Sequence, residues 1–456
     1  ETIYVKIYQN IFQGLIFLKN LPKHDLLFVG LTLFSMFFGA GNLIFPPFLG
    51  AQAGNATFTS MIGFAISAIF LPILGVVTVA LSGGLPNLAG RVNGKFPFIF
   101  TLLIYLSIGP CLAIPRTAST SFEMAVTPFL KSAPSTAVIA LYSFVFFFLA
   151  TIIAFKPEKL TERLGKILAP CLLLLIVTIT IGCIVNSPGG FGSPTGAYAE
   201  NQLVQGFLDG YLTMDTIAAL NFGIVIALNI KNKGVTNESS VVKYTIMAGW
   251  IAGFVLLAVY AALSYIGALS GGSFPGAQNG AEVLTNLVSW LFGSAGSIIL
   301  GLIFVIACFN TCVGLLSCCS EYFSTIFSKI SYKKWVIIFS AASFLISIAG
   351  LNAILSVSTP VLNAIYPVSI VLIFLGLTHS FIGSKFPMVY PTAILFTGIF
   401  SVFESILGLF KSPMAIKDFY YAHMPLSSLS LGWVLPAIIG VVLGIILSSV
   451  LFKKRV

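Results

Sequence analysis

The sequence predicts an all-α integral membrane protein of twelve transmembrane helices, and three observations carry that expectation. The chain of 456 residues is 58% hydrophobic and only 8% charged, where a soluble protein carries about 25% charged residues. Its mean hydropathy is +1.04. Apolar runs of roughly 20 residues, the length that crosses a bilayer as helix, recur along nearly the whole chain. Outer-membrane barrels are excluded, because their strands alternate apolar and polar over only about 10 residues. On a soluble chain the net charge of +10 would suggest nucleic acid. Here the basic residues belong to cytoplasmic loops, and no nucleic-acid partner is expected. The seven cysteines lie in or near apolar runs and read as small buried hydrophobes. Cys308 and Cys312 share a helix face, but two thiols without His or acidic neighbours make a poor metal site. No cleavable signal peptide is expected, and the 42 phenylalanines are assigned to lipid-facing and packing surface.

Span 1, near 25–50, carries a break in its middle, Ser35-Met-Phe-Phe-Gly-Ala-Gly-Asn-Leu-Ile-Phe-Pro-Pro47. Glycine lowers helix propensity, and the backbone groups an unwound segment frees are tolerated at bilayer depth only against protein or a water-filled cavity. Span 2 is placed near 57–83 and span 3 near 97–122. Within span 3, Pro110 and Pro115 predict a kink. Arg116 and Glu123, seven apart on one face, read as an ion pair at the outer interface or as a gate. Spans 4 and 5 follow near 135–155 and 163–186. Span 6, near 206–230, holds a second interruption, Gly206-Phe-Leu-Asp-Gly-Tyr-Leu-Thr-Met-Asp-Thr-Ile-Ala-Ala-Leu-Asn-Phe-Gly223, with Asp215 well inside it; Asp209 is expected to be solvated near the outer mouth. Spans 7 to 12 are placed near 243–270, 293–327, 334–350, 356–379, 387–410 and 430–452. The Gly-rich, then weakly helical loop 271–292 is expected to fold over an outer vestibule.

With the N-terminus cytoplasmic, nineteen of the 23 Lys and Arg fall on inner segments, and only Arg116, Lys131, Lys411 and Lys417 fall outside. The bias supports an even number of spans with both termini inside. Spans 1 and 6 then run in opposite directions, five spans apart, as a five-plus-five inverted repeat requires. The resulting organisation is a cytoplasmic N-terminal segment 1–24, a first five-helix repeat 25–186, a second inverted repeat 206–379 and two peripheral helices 387–452.

A broken helix offers two useful ends. The half-helix starting after Gly41-Asn42 points free N–H groups toward the gap and suits a carboxylate. The half-helices ending near Phe38 and Thr213 expose carbonyls that suit an ammonium or small cation. A zwitterionic amino acid needs both. The alternative is that the glycines only permit close helix packing. Asp215, a carboxylate at bilayer depth, is a functional candidate by default; it can bind a cation, accept a proton, or cap the second half-helix. In span 8, Asn310 and Thr311 can bond back to carbonyls one turn earlier or donate oxygen to Na⁺. No Walker loop, nucleophile elbow or metal-spaced cluster is present, so no enzyme chemistry is expected. No cofactor is expected beyond a coupling ion, Na⁺ or H⁺.

Phe34 to Pro47, Ile108-Gly-Pro with Ala113-Ile-Pro-Arg-Thr117 and Ser121-Phe-Glu123, Tyr211 to Leu220 with Phe222-Gly223, and Val313-Gly-Leu with Glu321-Tyr-Phe323 resemble the bacterial branched-chain amino acid:cation symporters (the BrnQ type). That family is similar in its broken helices to the amino acid–polyamine–cation superfamily. The resemblance implies a LeuT-like fold with spans 11 and 12 outside the repeat, the bacterial inner membrane, and uptake of leucine, isoleucine and valine with Na⁺ or protons. It also implies a substrate held by Gly39, Ala40, Gly41, Asn42, Thr213, Met214, Asp215 and Thr216, and a Na⁺ site from Ser35, Phe38, Ala307, Asn310 and Thr311. Asn310 stands where the superfamily has a hydroxyl. Tyr105, Phe222 and Ile226 are candidates for an apolar pocket that holds the aliphatic side chain. A carrier of another amino acid on the same fold, or a passive channel, is the alternative reading.

Overall fold

A computed structural model describes residues 21–130, 132–155, 160–409 and 415–451. Most of the N-terminal segment 1–24, Lys131, Lys156, Lys159 and Lys411 lie outside them. The secondary structure of the described residues is helical, with no strand among them. Helix coincides with each predicted span. Eight stretches are continuous, long and apolar enough to cross a membrane, and the bent pair in span 6 makes nine. Large apolar side chains stand exposed around the bundle, among them Phe58, Leu174, Phe254 and Phe381. That belt is what a lipid-facing surface requires.

Span 1 is two helices, α1 (Lys23–Phe37) and α2 (Ala40–Ala53), separated at Phe38 and Gly39. Span 2 is α3 (Thr57–Ala65) and α4 (Leu71–Ser82), joined by a π-turn over Ile66–Phe70. A short α5 (Leu85–Gly90) leads to α6 (Phe96–Leu106). Span 3 kinks as its prolines predict: Gly109 leaves helical geometry (φ −97°, ψ −129°), and α7 (Ala113–Ala125) restarts beyond Leu112. Next come α8 (Thr136–Ala154), α9 (Leu160–Val185) and α10 (Gln202–Asp209). A 3₁₀ turn over Gly210–Thr213 then meets α11 (Asp215–Asn232) at a bend of 50°.

Span 7 is α12 (Glu238–Gly271) and span 8 lies in α13 (Gly280–Ile326). The loop predicted at 271–292 is helical from Gly280 onward, capped by the Asn279 side chain. Gly293 (φ 64°, ψ −158°) turns the chain sharply between this arm and the span proper. The last spans are α14 (Tyr332–Ser347), α15 (Leu351–Leu377), α16 (Val389–Leu409) and, after α17 (Ala415–His423), α18 (Val434–Leu451).

The helices pair in a regular way. Span 1 packs on α12 of span 7, and span 6 packs on α3 and α4 of span 2; α7 packs on α13, and α8 on α14. Exchanging spans 1, 2, 3 and 4 with 6, 7, 8 and 9 leaves that set of pairs unchanged. The two last membrane helices, α16 and α18, pack on each other, and α16 leans on α15.

Close approach between α2 and α12 fixes where the first break sits. A Cβ on Gly267 would lie 2.1 Å from the Pro47 carbonyl oxygen, and one on Gly271 2.4 Å from that of Ala51. Small residues four apart let two backbones touch, the usual means of helix association without a hydrophobic drive between helices. At the far end of the same two spans, Lys233 after α11 pairs with Asp25 in the first turn of α1 at 2.9 Å. Gly267→Val should destabilise the purified protein by about 1–3 kcal/mol through overpacking, read as a lower melting temperature in detergent. Gly408→Ala, which meets open space, should not. Equal melting temperatures for the two variants would contradict the tight α2–α12 contact.

Candidate functional site

Each broken span frees backbone groups, and the sequence supplies a partner for those nearest the junction. Phe38 (ψ 86°) and Gly39 (φ −116°, ψ −171°) are not helical. The freed Gly39 N–H donates to Asn42 Oδ1 at 3.2 Å. The helix restarts at Ala40, so Gly41 and Asn42 lie inside the first turn of α2 rather than before it. Across the junction, Met214 adopts the left-handed conformation (φ 66°, ψ 9°), which costs a non-glycine residue about 1–2 kcal/mol. The freed carbonyl of Leu212 accepts a hydrogen bond from Arg116 Nη1 at 2.7 Å.

The two breaks meet through side chains. Asn42 Nδ2 donates to Asp215 Oδ2 at 2.5 Å and also bonds Tyr260 Oη. Tyr260, on α12, donates to the same carboxylate oxygen at 3.2 Å. The Thr213 hydroxyl accepts the Asp215 N–H at 3.4 Å, and Thr216 donates to the Ser67 carbonyl of span 2 at 3.0 Å. Ala40, Gly41, Asn42, Thr213, Met214, Asp215 and Thr216 are all buried, and Gly39 is half-buried. Asp215 does not cap α11 with its side chain. Its carboxylate turns toward span 1 instead.

Arg116 is not where the sequence suggested. Its spacing reads as an ion pair with Glu123 at the outer interface or as a gate. In the structure it is buried at 4% exposure, and among the described residues no carboxylate lies within 4 Å of it. Its guanidinium lies 5.3 Å from the Phe45 ring centroid, and its Nη2 is 2.7 Å from where a Cβ on Gly41 would be. It also lies within electrostatic range of Asp215. The kink at Gly109 turns α7 so that nearly all its residues are buried, including Thr117, Ser119, Thr120 and Ser121. That polar composition in a buried membrane helix was the available signal for an inward-facing Arg116. Tyr260 carried no such signal.

Three other expectations shift. Tyr105 stacks on Tyr322 at 3.9 Å, eleven residues and so roughly 16 Å along α13 from Thr311; it does not reach the junction. Phe222 packs against Phe37, the last helical residue before the first break, and so stays beside it; Ile226 lies in the core with Val29 and Leu33, about three turns beyond Asp215, toward the Lys233 end. Asp209 is not simply solvated, because it accepts hydrogen bonds from Tyr198 Oη at 2.5 Å and Gln205 Nε2 at 2.8 Å.

The candidate Na⁺ ligands are only partly gathered. The Thr311 methyl sits 3.6 Å from where a Cβ on Gly39 would be, so span 8 abuts the break. Its hydroxyl donates to the Ala307 carbonyl at 3.1 Å, the local bond anticipated as the alternative. Phe38 is buried, whereas Ser35 is exposed. Asn310 Oδ1 is buried without a hydrogen-bond partner, and such an acceptor is rare unless a ligand or water completes it. Of the five candidate ligands, Asn310 alone presents a buried side-chain oxygen without a partner, and Ser35 stands outside the buried set.

Residues 22–451 match the family model described as branched-chain amino acid transport protein. The chain is 39% identical to the branched-chain amino acid permease BraB of Bacillus subtilis (94% of this chain, 96% of that protein). It is also 39% identical to the branched-chain amino acid transport system 2 carrier protein of Pseudomonas aeruginosa (96% and 99%). Among solved structures it resembles Mhp1 in an inward-facing conformation, with TM-score 0.59 and 12% identity over 94% of this chain and 91% of that one. It resembles MhsT in complex with L-phenylalanine with TM-score 0.57 and 17% identity over 92% and 99%. These two likenesses establish the fold as that of LeuT-like transporters.

Removing one donor from a buried carboxylate leaves it under-satisfied, at about 1–3 kcal/mol or more. Asn42→Leu, which removes both the Asp215 bond and the Gly39 cap, should lower the melting temperature more than Tyr260→Phe, which removes one donor. The reverse order in a detergent melt would contradict the assigned network.

Proposed function

The chain belongs to the branched-chain amino acid transport protein family, and from that premise we propose that it imports leucine, isoleucine and valine across the bacterial inner membrane by cation-coupled alternating access. The observation that carries this reading is the direct bond between Asn42 of the first break and Asp215 of the second. Unwound helices at mid-membrane are where secondary transporters hold small solutes and ions. Here both breaks converge on one carboxylate, beside N–H groups at the start of α2. The substrate ammonium is held by Asp215 with carbonyls of the 213–216 segment. Its carboxylate lies against Gly39 to Asn42.

The pairing of spans 1 with 7, 2 with 6, 3 with 8 and 4 with 9 supports a five-plus-five inverted repeat within twelve spans, with both termini cytoplasmic. In alternating access one repeat rocks against the other around the fixed site. The coupling ion is Na⁺ or a proton; the buried Asn310 oxygen supports Na⁺. Co-binding of ion and substrate couples them, because each offsets part of the other's desolvation. An apolar pocket separates aliphatic side chains by only about 1–3 kcal/mol per methylene, so all three branched substrates should be carried.

The test is counterflow of labelled leucine in proteoliposomes, with Na⁺, pH and competitors varied separately. Uptake should saturate, isoleucine and valine should compete, and Asp215→Asn should abolish concentrative uptake. Full concentrative uptake by Asp215→Asn would overturn its role. A strict dependence on either Na⁺ or pH identifies the ion.

A further inference from the structure

Arg116 and Asp215 are opposite charges, each almost fully buried, within electrostatic range of each other. Yet no direct ion pair joins them among the described residues. Buried ions are ordinarily paired because desolvation is costly, so a divided pair at the meeting point of two broken helices calls for an explanation. Arg116 is anchored from one side only. Nη1 donates to the Leu212 carbonyl at 2.7 Å, and this is the guanidinium's one hydrogen bond among the described residues. Nη2 is turned to Gly41, where even a methyl group would stand 2.7 Å away. The Phe45 ring beneath the guanidinium favours the cation without supplying a counter-charge. Asp215, for its part, is held by two uncharged donors, Asn42 and Tyr260, both on Oδ2.

We propose that Arg116 is the residue that binds the substrate's α-carboxylate, and that Arg116 and Asp215 form a split ion pair which an amino acid zwitterion completes. This rests on the reading that a zwitterion binds at the two breaks. The carboxylate takes the remaining guanidinium donors, whose planar fork suits it, together with the N–H groups beside Gly41. The ammonium takes Asp215. Two incomplete charges become two ion pairs, and the loaded site is neutral. The charge moved per cycle is then that of the coupling ion alone. The same argument makes Gly41 a requirement of the guanidinium's position. Selectivity for zwitterions over amines and acids follows, because an analogue with one charged end leaves the opposite member of the pair unanswered.

The experiment is equilibrium binding of leucine, leucinol (no carboxylate) and 4-methylpentanoate (no ammonium) to the purified full chain in nanodiscs. Breaking one side of a buried charge pair is expected to weaken binding by about 30-fold or more. The wild type should therefore bind both analogues at least about 30-fold more weakly than leucine. Arg116→Gln should bring leucine down to the level of leucinol while leucinol itself changes little. Arg116→Lys should recover part of the leucine affinity but not all, since an ammonium cannot hold Leu212 and a carboxylate in one plane. Wild-type protein that binds leucinol as tightly as leucine would overturn the proposal without any variant. So would a monodisperse Arg116→Gln protein with an unchanged leucine-to-leucinol ratio, since Arg116 would then serve only to tie Leu212. Wild-type protein that binds no branched-chain amino acid would instead defeat the underlying reading of the site.

Discussion

A backbone N–H or C=O that leaves a helix at bilayer depth must find a partner inside the protein, because hydrocarbon offers none. Most of what distinguishes this chain follows from meeting that demand at two places. Asn42 closes the first break by accepting from Gly39 and donating to Asp215. Arg116 closes the second by donating to Leu212. Each repair reaches across to the other break, through Asp215 in one case and through the contact with Gly41 in the other. The groups that make unwinding tolerable are thus the groups that place charge at the centre of the membrane.

The surrounding packing serves to hold that centre in place. Gly267 and Gly271 bring α12 onto α2 closely enough for Tyr260 to reach Asp215. Thr216 is tied to span 2 through Ser67. Met214 keeps a left-handed backbone conformation that any residue with a Cβ resists, and strain of that kind persists where the surroundings over-determine it and often where function needs it. Farther out, Lys233 and Asp25 link the ends of spans 6 and 1. The two helices that bracket the site are also coupled at the membrane face.

The fold class was legible in the sequence because it depends on composition and run length, which lipid constrains strongly. Both breaks were legible for the same reason: Gly39, Gly41 and Asn42, and Asp215 within an apolar run, contradict an uninterrupted span. What the sequence did not reveal is which way side chains turn after a kink. Arg116 lies seven residues before Glu123 on one face of an ideal helix, and a surface ion pair was the natural expectation. The departure at Gly109 and Leu112 rotates the helix and carries the guanidinium inward. Phe222 stays beside the first break through Phe37, but distance along a helix separates Tyr105 and Ile226 from the junction. The weak helical character that follows the Gly-rich stretch within 271–292 is a capped helix from Gly280 onward, its cap supplied by Asn279.

The central claim is that the two breaks jointly hold one small zwitterion. An experimental structure of the protein in lipid with leucine bound tests it most directly. Density for the amino acid is expected between Gly41 and Met214, with its nitrogen on Asp215. Leucine bound elsewhere in the bundle, or spans 1 and 6 running as continuous helices past an empty centre, would contradict it.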